Sequence, residues 1–466
     1  NALFLILPAH KAFDVLTVLH FVLLGIGAYV FFRKMLESDT CAFLSAITFS
    51  IAGFFATQLH SGIVLFIFTG AWLPWMLWAA ERGIAERDSR GYLWLATFGA
   101  LQLLAGAPQI AFYSWLITGV YLLVAMRTEF RGRNAFGISS AGWLAAVGIF
   151  AAALLTILLT AVQWMPTQEF LSLSFERGQG ASYEYVTDGS LEWDWIPTFL
   201  APFTFGHPSD EATYWGSAVG FWEFNGYVGV LPFVLAIVGL LSLGRSAPPK
   251  DRRLAFFGLI CLILWLCLAP GKNSPIFKVA YYIIPGFDRF RVPARWVLAY
   301  QLGMAAFAGL GLKQIISASS RKPMLIVIGI LVVLVVAAGI LNGFRDPLVL
   351  AIAQVRGLST IPNEVLDIYA AQFASAMRMF LILAVAALIL ALAFLSDKKP
   401  LFVVLLIALV VADLVYFGSG LVKCEPSKGF FAQFYPSTTL VNDLQQGLKE
   451  GQRFTWDDSV FDWTVD

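Results

Sequence analysis

Met324-Leu-Ile-Val-Ile-Gly-Ile-Leu-Val-Val-Leu-Val-Val-Ala-Ala-Gly-Ile-Leu-Asn342 runs for nineteen residues without a charge, just after Arg321 and Lys322. At about 1.5 Å per residue, a helix of that length crosses the roughly 30 Å of hydrocarbon in a bilayer with its backbone groups paired internally. Comparable runs lie on both sides of it. Together they predict twelve spans: 12–32, 41–57, 63–80, 91–106, 109–126, 141–162, 227–244, 254–269, 296–312, 324–342, 379–396 and 401–417.

The composition leaves no other solvent for the fold. Of 466 residues, 59% are apolar and 13% charged, with a mean hydropathy of +0.76, more apolar surface than a soluble core can hide. The net charge of +1 is spread over small basic clusters between apolar runs, so no nucleic-acid partner is expected. Of the cysteines, Cys41, Cys261, Cys267 and Cys424, three fall in apolar runs and read as small core residues, with neither a disulfide nor a metal site. There is no internal repeat and no low-complexity tract. The chain opens at Asn1 directly into apolar sequence and stops at Asp466 within a polar stretch, so a fragment of a longer protein is expected.

Alternate connections carry the basic residues: Arg33 and Lys34; Arg82, Arg87 and Arg90; Arg127, Arg131 and Arg133; Arg245, Lys250, Arg252 and Arg253; Lys313, Arg321 and Lys322; Lys398 and Lys399. The positive-inside rule puts all six in the cytoplasm. Successive basic loops on one side require an even number of crossings between them. That splits 41–80 into a hairpin turning near His60 and 91–126 into one turning at Pro108. The connections 163–226, 270–295 and 343–378, and the tail from 418, are then extracytoplasmic. Asp443, Gln445, Gln446, Lys449, Glu450 and Gln452 mark the tail as the start of an outer domain, 418–466, following a membrane domain, 1–417.

Ionisable groups are scarce within the spans. His20 and Asp413 are the main exceptions, and both read as packed, hydrogen-bonded residues; this scarcity argues against an ion-coupled carrier. The loop 163–226 is rich in aromatics, among them Trp164, Trp193, Trp195, Trp215, Trp222, Tyr183, Tyr185 and Tyr214. Flat aromatic faces suit sugar rings, with Trp193, Trp215 and Trp222 the candidates, and equally suit the membrane interface. The same loop carries the carboxylates Glu169, Glu176, Glu184, Asp188, Glu192, Asp194, Asp210, Glu211 and Glu223 against one basic residue, Arg177. One of them is a possible general base. The Glu192-Trp193-Asp194 spacing is a weak divalent-cation signal, and no resident cofactor is expected.

The sharpest local feature is Pro285-Gly-Phe-Asp-Arg-Phe-Arg-Val-Pro-Ala-Arg-Trp296. Pro293 suits a first helical turn, so Arg289, Arg291 and Arg295 flank a helix N-terminus, where the macrodipole disfavours cations. A lipid phosphate would resolve the conflict, because guanidinium forks and helix N–H groups converge on one anion. Pairing with Asp288 and ordinary headgroups is the competing reading.

Phe290-Arg-Val-Pro-Ala-Arg-Trp296, followed by the span containing Gly303, Ala305, Ala306, Ala308, Gly309 and Gly311, resembles the YfhO family of bacterial membrane proteins. Ala161-Val-Gln-Trp-Met-Pro-Thr-Gln-Glu169, Gly106-Ala-Pro-Gln109 and Tyr227-Val-Gly-Val-Leu-Pro232 add to the likeness, which extends over essentially the whole chain. The resemblance implies an all-α polytopic membrane protein of GT-C type in a bacterial cytoplasmic (inner) membrane. The implied activity is transfer of a sugar from a polyprenyl-phosphate donor to a cell-envelope polymer acceptor outside that membrane, with membrane lipids as surroundings. GT-C enzymes typically carry their catalytic Asp in the first outer loop, and this chain is expected to begin beyond it; Asp14 lies too close to the first span to take that role. Glu169, Glu176 and Glu223 are left as candidate bases, and Arg289, Arg291 and Arg295 as donor-phosphate ligands on physical grounds. The expectation is an inverting glycosyltransferase; a translocator or assembly factor for lipid-linked saccharides, or a structural envelope protein, are the alternatives.

Overall fold

Every regular element among the described residues is a helix, the form a chain takes where lipid offers its backbone no hydrogen bonds. The computed structural model describes residues 2–130, 140–173, 181–208, 214–216, 220–241, 247–317, 322–355, 363–393, 399–419 and 421. The chain divides into a unit Asn1–Leu421 and a unit Val422–Asp466. The second unit, and with it nearly all of the outer domain expected from 418, lies outside the described residues.

The first half contains α1 (Ala9–Leu36), α2 (Asp39–Ser50), α3 (Gly53–His60), α4 (Val64–Gly70), α5 (Leu73–Ile84), α6 (Arg90–Leu104), α7 (Pro108–Glu129), α8 (Ser140–Leu159) and α9 (Ala161–Ser172). Then come α10 (Tyr183–Thr187), α11 (Gly220–Phe224), α12 (Val230–Leu241), α13 (Pro249–Leu268) and α14 (Pro275–Ile283). The last are α15 (Val297–Ser317), α16 (Lys322–Gly343), α17 (Arg345–Val355), α18 (Asn363–Ala393) and α19 (Lys399–Ser419). The two expected hairpins turn where the charge pattern placed them, after His60 and immediately before Pro108.

Among the described residues, eight helices or helix pairs are long and apolar enough to cross a membrane: α1, α2 with α3, α4 with α5, α7, α8, α16, α18 and α19. Four expected spans fall on other helices. The stretches 91–106 and 227–244 lie on α6 and α12, of 15 and 12 residues, while 254–269 and 296–312 lie on α13 and α15. In α15 every residue from Val297 to Leu312 is buried, so this helix meets protein rather than lipid and tolerates Gln301 inside the bundle. The expected loop 343–378 is largely helical: it holds α17 and the first turns of α18, whose apolar stretch begins at Val365 instead of 379.

Small residues let α15 approach its neighbours backbone to backbone. A Cβ on Gly311 would sit 2.0 Å from the Leu235 carbonyl oxygen, and one on Gly239 2.1 Å from that of Phe307. Close approach of this kind substitutes for a hydrophobic drive between helices in lipid. Gly311→Val is therefore expected to lower stability by about 1–3 kcal/mol through overpacking, read from unfolding in detergent micelles. An unchanged midpoint would mean that α12 and α15 separate without loss.

The span Asp39–His60 is broken at Ile51 and Ala52, and a buried glutamine closes the break. Gln301 Nε2 donates to the Phe49 carbonyl, Gln301 Oε1 accepts from Phe54 N at 3.0 Å, and Gly53 N donates to the Tyr227 carbonyl at 2.6 Å. Backbone irregularity at membrane depth survives only where protein groups replace the missing partners.

Ion pairs gather five of the six basic connections at one end of the bundle. Lys34 pairs with Glu86, Lys250 with Glu37 at 2.7 Å, and Lys313 with Asp251 at 2.7 Å. Arg253 reaches Glu81 at 3.1 Å and Glu129 at 2.9 Å. Lys250 holds the Glu37 carboxyl below its ordinary range, and Arg82, with the Arg90 N–H, does the same for Asp88. This shared basic end is the one the positive-inside rule assigns to the cytoplasm.

Candidate functional site

At the opposite end, the expected outer loops 163–226 and 270–295 fold against each other. Ala181 N donates to the Asp288 carbonyl at 3.0 Å, Val292 N to that of Asp188 at 3.0 Å, and Leu191 N to that of Ala269 at 2.9 Å. Ser190 Oγ accepts from Lys272 N at 2.9 Å, and Tyr281 donates its hydroxyl proton to the Ala181 carbonyl at 2.7 Å. Within the second loop, α14 buries Phe277 and Ala280 and exposes Ile276, Val279, Tyr282 and Ile283, the pattern of a helix lying at a membrane interface. Partial burial raises the Tyr183 and Tyr281 phenols above their ordinary range.

These contacts enclose a cavity of about 230 Å³, lined by Asp188, Ser190, Glu192, Lys272, Arg291 and Val292, with Gly189 and Phe224 completing the wall. Two cations and two carboxylates thus face one space at the end of the bundle opposite the basic loops. Val292 takes a φ of 63°, a left-handed conformation that is uncommon for a β-branched side chain. It is buried and held by Asp188 on one side and by Gly189 on the other, where the Ala294 N–H reaches the Gly189 carbonyl at 3.3 Å. A Cβ on Gly189, itself at φ 72°, would lie 2.9 Å from Val292 Cγ1, so glycine is required there.

The three arginines have different surroundings. Arg289 lies 3.5 Å from Asp288, as the competing sequence reading expected of that pair. Arg291 lies 3.4 Å from Asp188, stands over the Tyr185 ring at 5.7 Å and lines the cavity. Arg295 grips Glu223 with two nitrogens, donates to Gln109 Oε1 at 2.6 Å and stands 4.6 Å over the Phe66 ring. Its fork is thereby engaged within the protein. For Arg295, the anion that reconciles a cation with the start of α15 is the Glu223 carboxylate, which is itself only 2% exposed.

The structure separates the other expected residues. Glu169 is exposed on α9, which buries none of its side chains, and Glu176 lies outside the described residues. Trp193 is 52% exposed beside Glu192, whereas Trp215 is buried against Phe205 and stacked on Tyr369 at 4.8 Å. Trp222 is half-buried, and its carbonyl accepts from Thr57 and Gln58. None of the three indoles lines the cavity. Asp413 takes the packing role expected of it: it accepts from the Tyr227 hydroxyl and from Val230 N at 3.0 Å, capping α12. His20 stacks on Phe68 at 4.3 Å. Among the described residues no three His, Cys, Asp or Glu side chains converge as a metal site.

Lys272 has no role in the sequence reading, although a lysine in an expected outer loop, against the positive-inside pattern, is a signal for it. Gln109 enters that reading as the last residue of the Gly106-Ala-Pro-Gln109 likeness, with no role attached, because its partners Arg291 and Arg295 lie far along the chain. Set beside known proteins, the chain matches no family model, no curated protein and no solved structure.

Proposed function

We propose that the outer cavity is the reaction site of a membrane glycosyltransferase of GT-C type, with twelve spans, that takes a sugar from a polyprenyl-phosphate donor and passes it to a cell-envelope polymer. The carrying observation is the joint lining by Lys272, Arg291, Asp188 and Glu192 at the end remote from the basic loops. Lys272 and Arg291 bind the donor phosphate, and Asp188 orients the Arg291 guanidinium. Glu192 takes the proton of the acceptor hydroxyl as its oxygen bonds to the anomeric carbon. The bond from that carbon to the phosphate oxygen breaks, and polyprenyl phosphate leaves with the electron pair, its charge held by the two cations. Trp193, exposed beside Glu192, offers an indole face for a sugar ring.

The test supplies the full-length protein in membranes with a radiolabelled polyprenyl-phosphate hexose and follows label into envelope polymer. Arg291→Ala and Glu192→Gln are each expected to cut transfer by at least about 10²-fold, the scale of losing a phosphate clamp or a general base. Full transfer by both variants would remove the cavity from the reaction. Donor binding without transfer by the unaltered protein would favour a translocator for lipid-linked saccharides.

A further inference from the structure

Gln109 opens α7, one residue after Pro108, and is 7% exposed. Every polar atom of its amide is engaged. Oε1 accepts from Arg295, while Nε2 donates to the Tyr113 hydroxyl at 3.0 Å and to the Arg291 carbonyl at 2.6 Å. Arg295 is in turn clamped by Glu223, so a continuous chain runs from the Glu223 carboxylate through Arg295 and Gln109 to the backbone of Arg291. That chain ends on the peptide preceding Val292, the residue at φ 63°, whose own N–H is held by Asp188. The left-handed turn is thus fixed at its carbonyl by Gln109 and at its amide by the cavity wall.

We infer that Gln109 is a positioning residue for an anion site, setting the direction of the Arg291 side chain by holding the Arg291–Val292 peptide. The inference rests on the reading that the cavity takes a phosphate. A peptide in a sparsely populated conformation persists only where its surroundings over-determine it, and here Gln109 holds the carbonyl at 2.6 Å. Without that donor the peptide turns, and the guanidinium no longer converges with Lys272. Arg295 and Glu223 act one step further back, by orienting the Gln109 amide.

The test measures binding of farnesyl phosphate to the full-length protein in phosphatidylcholine nanodiscs. Gln109→Glu keeps an acceptor for Arg295 and sets an oxygen against the Arg291 carbonyl; Gln109→Met removes the donor without adding charge, in case the first variant fails to fold. Each is expected to weaken binding about tenfold, the effect of one lost hydrogen bond. In an Arg291→Ala background the same changes are expected to alter binding less than about twofold, because both act on one group. Equal losses in the two backgrounds, or no loss in either, would overturn the positioning role while the effect of Arg291→Ala alone left the phosphate site standing. If Arg291→Ala binds as the unaltered protein does, the phosphate site and the positioning role both fall.

Discussion

Arg253→Met is expected to destabilise the membrane domain by about 3–5 kcal/mol, because it strands a carboxylate away from water. The Arg253 side chain is 2% exposed and the Glu81 side chain 1%, at the basic end where α5, α7 and α13 meet. Tyr121 donates its hydroxyl proton to Glu81 at 2.7 Å, and Glu129, 34% exposed, holds the other side of the guanidinium. With the cation gone, Glu81 keeps one hydroxyl donor and must take up a proton or admit water. The double variant Arg253→Met, Glu81→Leu is expected to recover most of the loss, since an apolar pair of similar volume is often as stable as a buried ion pair. Glu129 then returns to solvent at little cost. Unfolding of purified protein in micelles reads both. A single-variant loss below about 1 kcal/mol, the range of solvated pairs, would show that water already reaches Glu81.

This network also shows which parts of the fold were legible beforehand. Apolar length and basic loops placed the hairpin turns at His60 and Pro108, because both signals are local and lipid imposes them directly. What lay beyond them depends on neighbours. Gln301 reads as an ordinary polar interruption until Phe49 and Phe54 are seen on either side of it, 252 and 247 residues away in the chain. The whole of 343–378 reads as loop because Asp346, Asp367 and Arg378 interrupt its apolar pattern, yet α17 and α18 run through it. Hydropathy averages over all faces of a helix, so a helix polar on one face is undercounted.

The site divides in the same way. Three arginines before α15 were conspicuous in sequence because they defy both the helix dipole and the positive-inside pattern. Their partners could not be read: Asp188 lies 103 positions from Arg291, and Glu223 lies 72 from Arg295. Spacing cannot tell a carboxylate that closes an ion pair from one that lines a cavity. Glu223 and Glu192 look alike in the loop 163–226, yet one is clamped by Arg295 and the other lines open space. Trp215 likewise shares its residue type with Trp193 but is buried in the core.

That difference sets the second large effect. Glu223→Ala is expected to cost about 3–5 kcal/mol, since it leaves the Arg295 guanidinium, 15% exposed, beside Gln109 and the Phe66 ring with its paired carboxylate gone. Glu223→Gln keeps the shape and one acceptor, so a smaller loss is expected from it. Arg295→Met in the Glu223→Ala background is expected to restore stability, because it removes the stranded charge and keeps an apolar stem against Phe66. It does not restore the orientation of Gln109, which has lost its donor, so farnesyl phosphate binding is expected to stay weak in the stable double variant. Stability and binding therefore part company here, whereas at Arg253 only stability moves. The damage is expected to be local too: amide exchange quickens around 188–192 and 291–295, while protection at the ion-paired basic end holds. Uniform loss of protection at both ends would mean that the bundle opens as one unit and that the Arg295–Glu223 clamp secures the whole membrane domain.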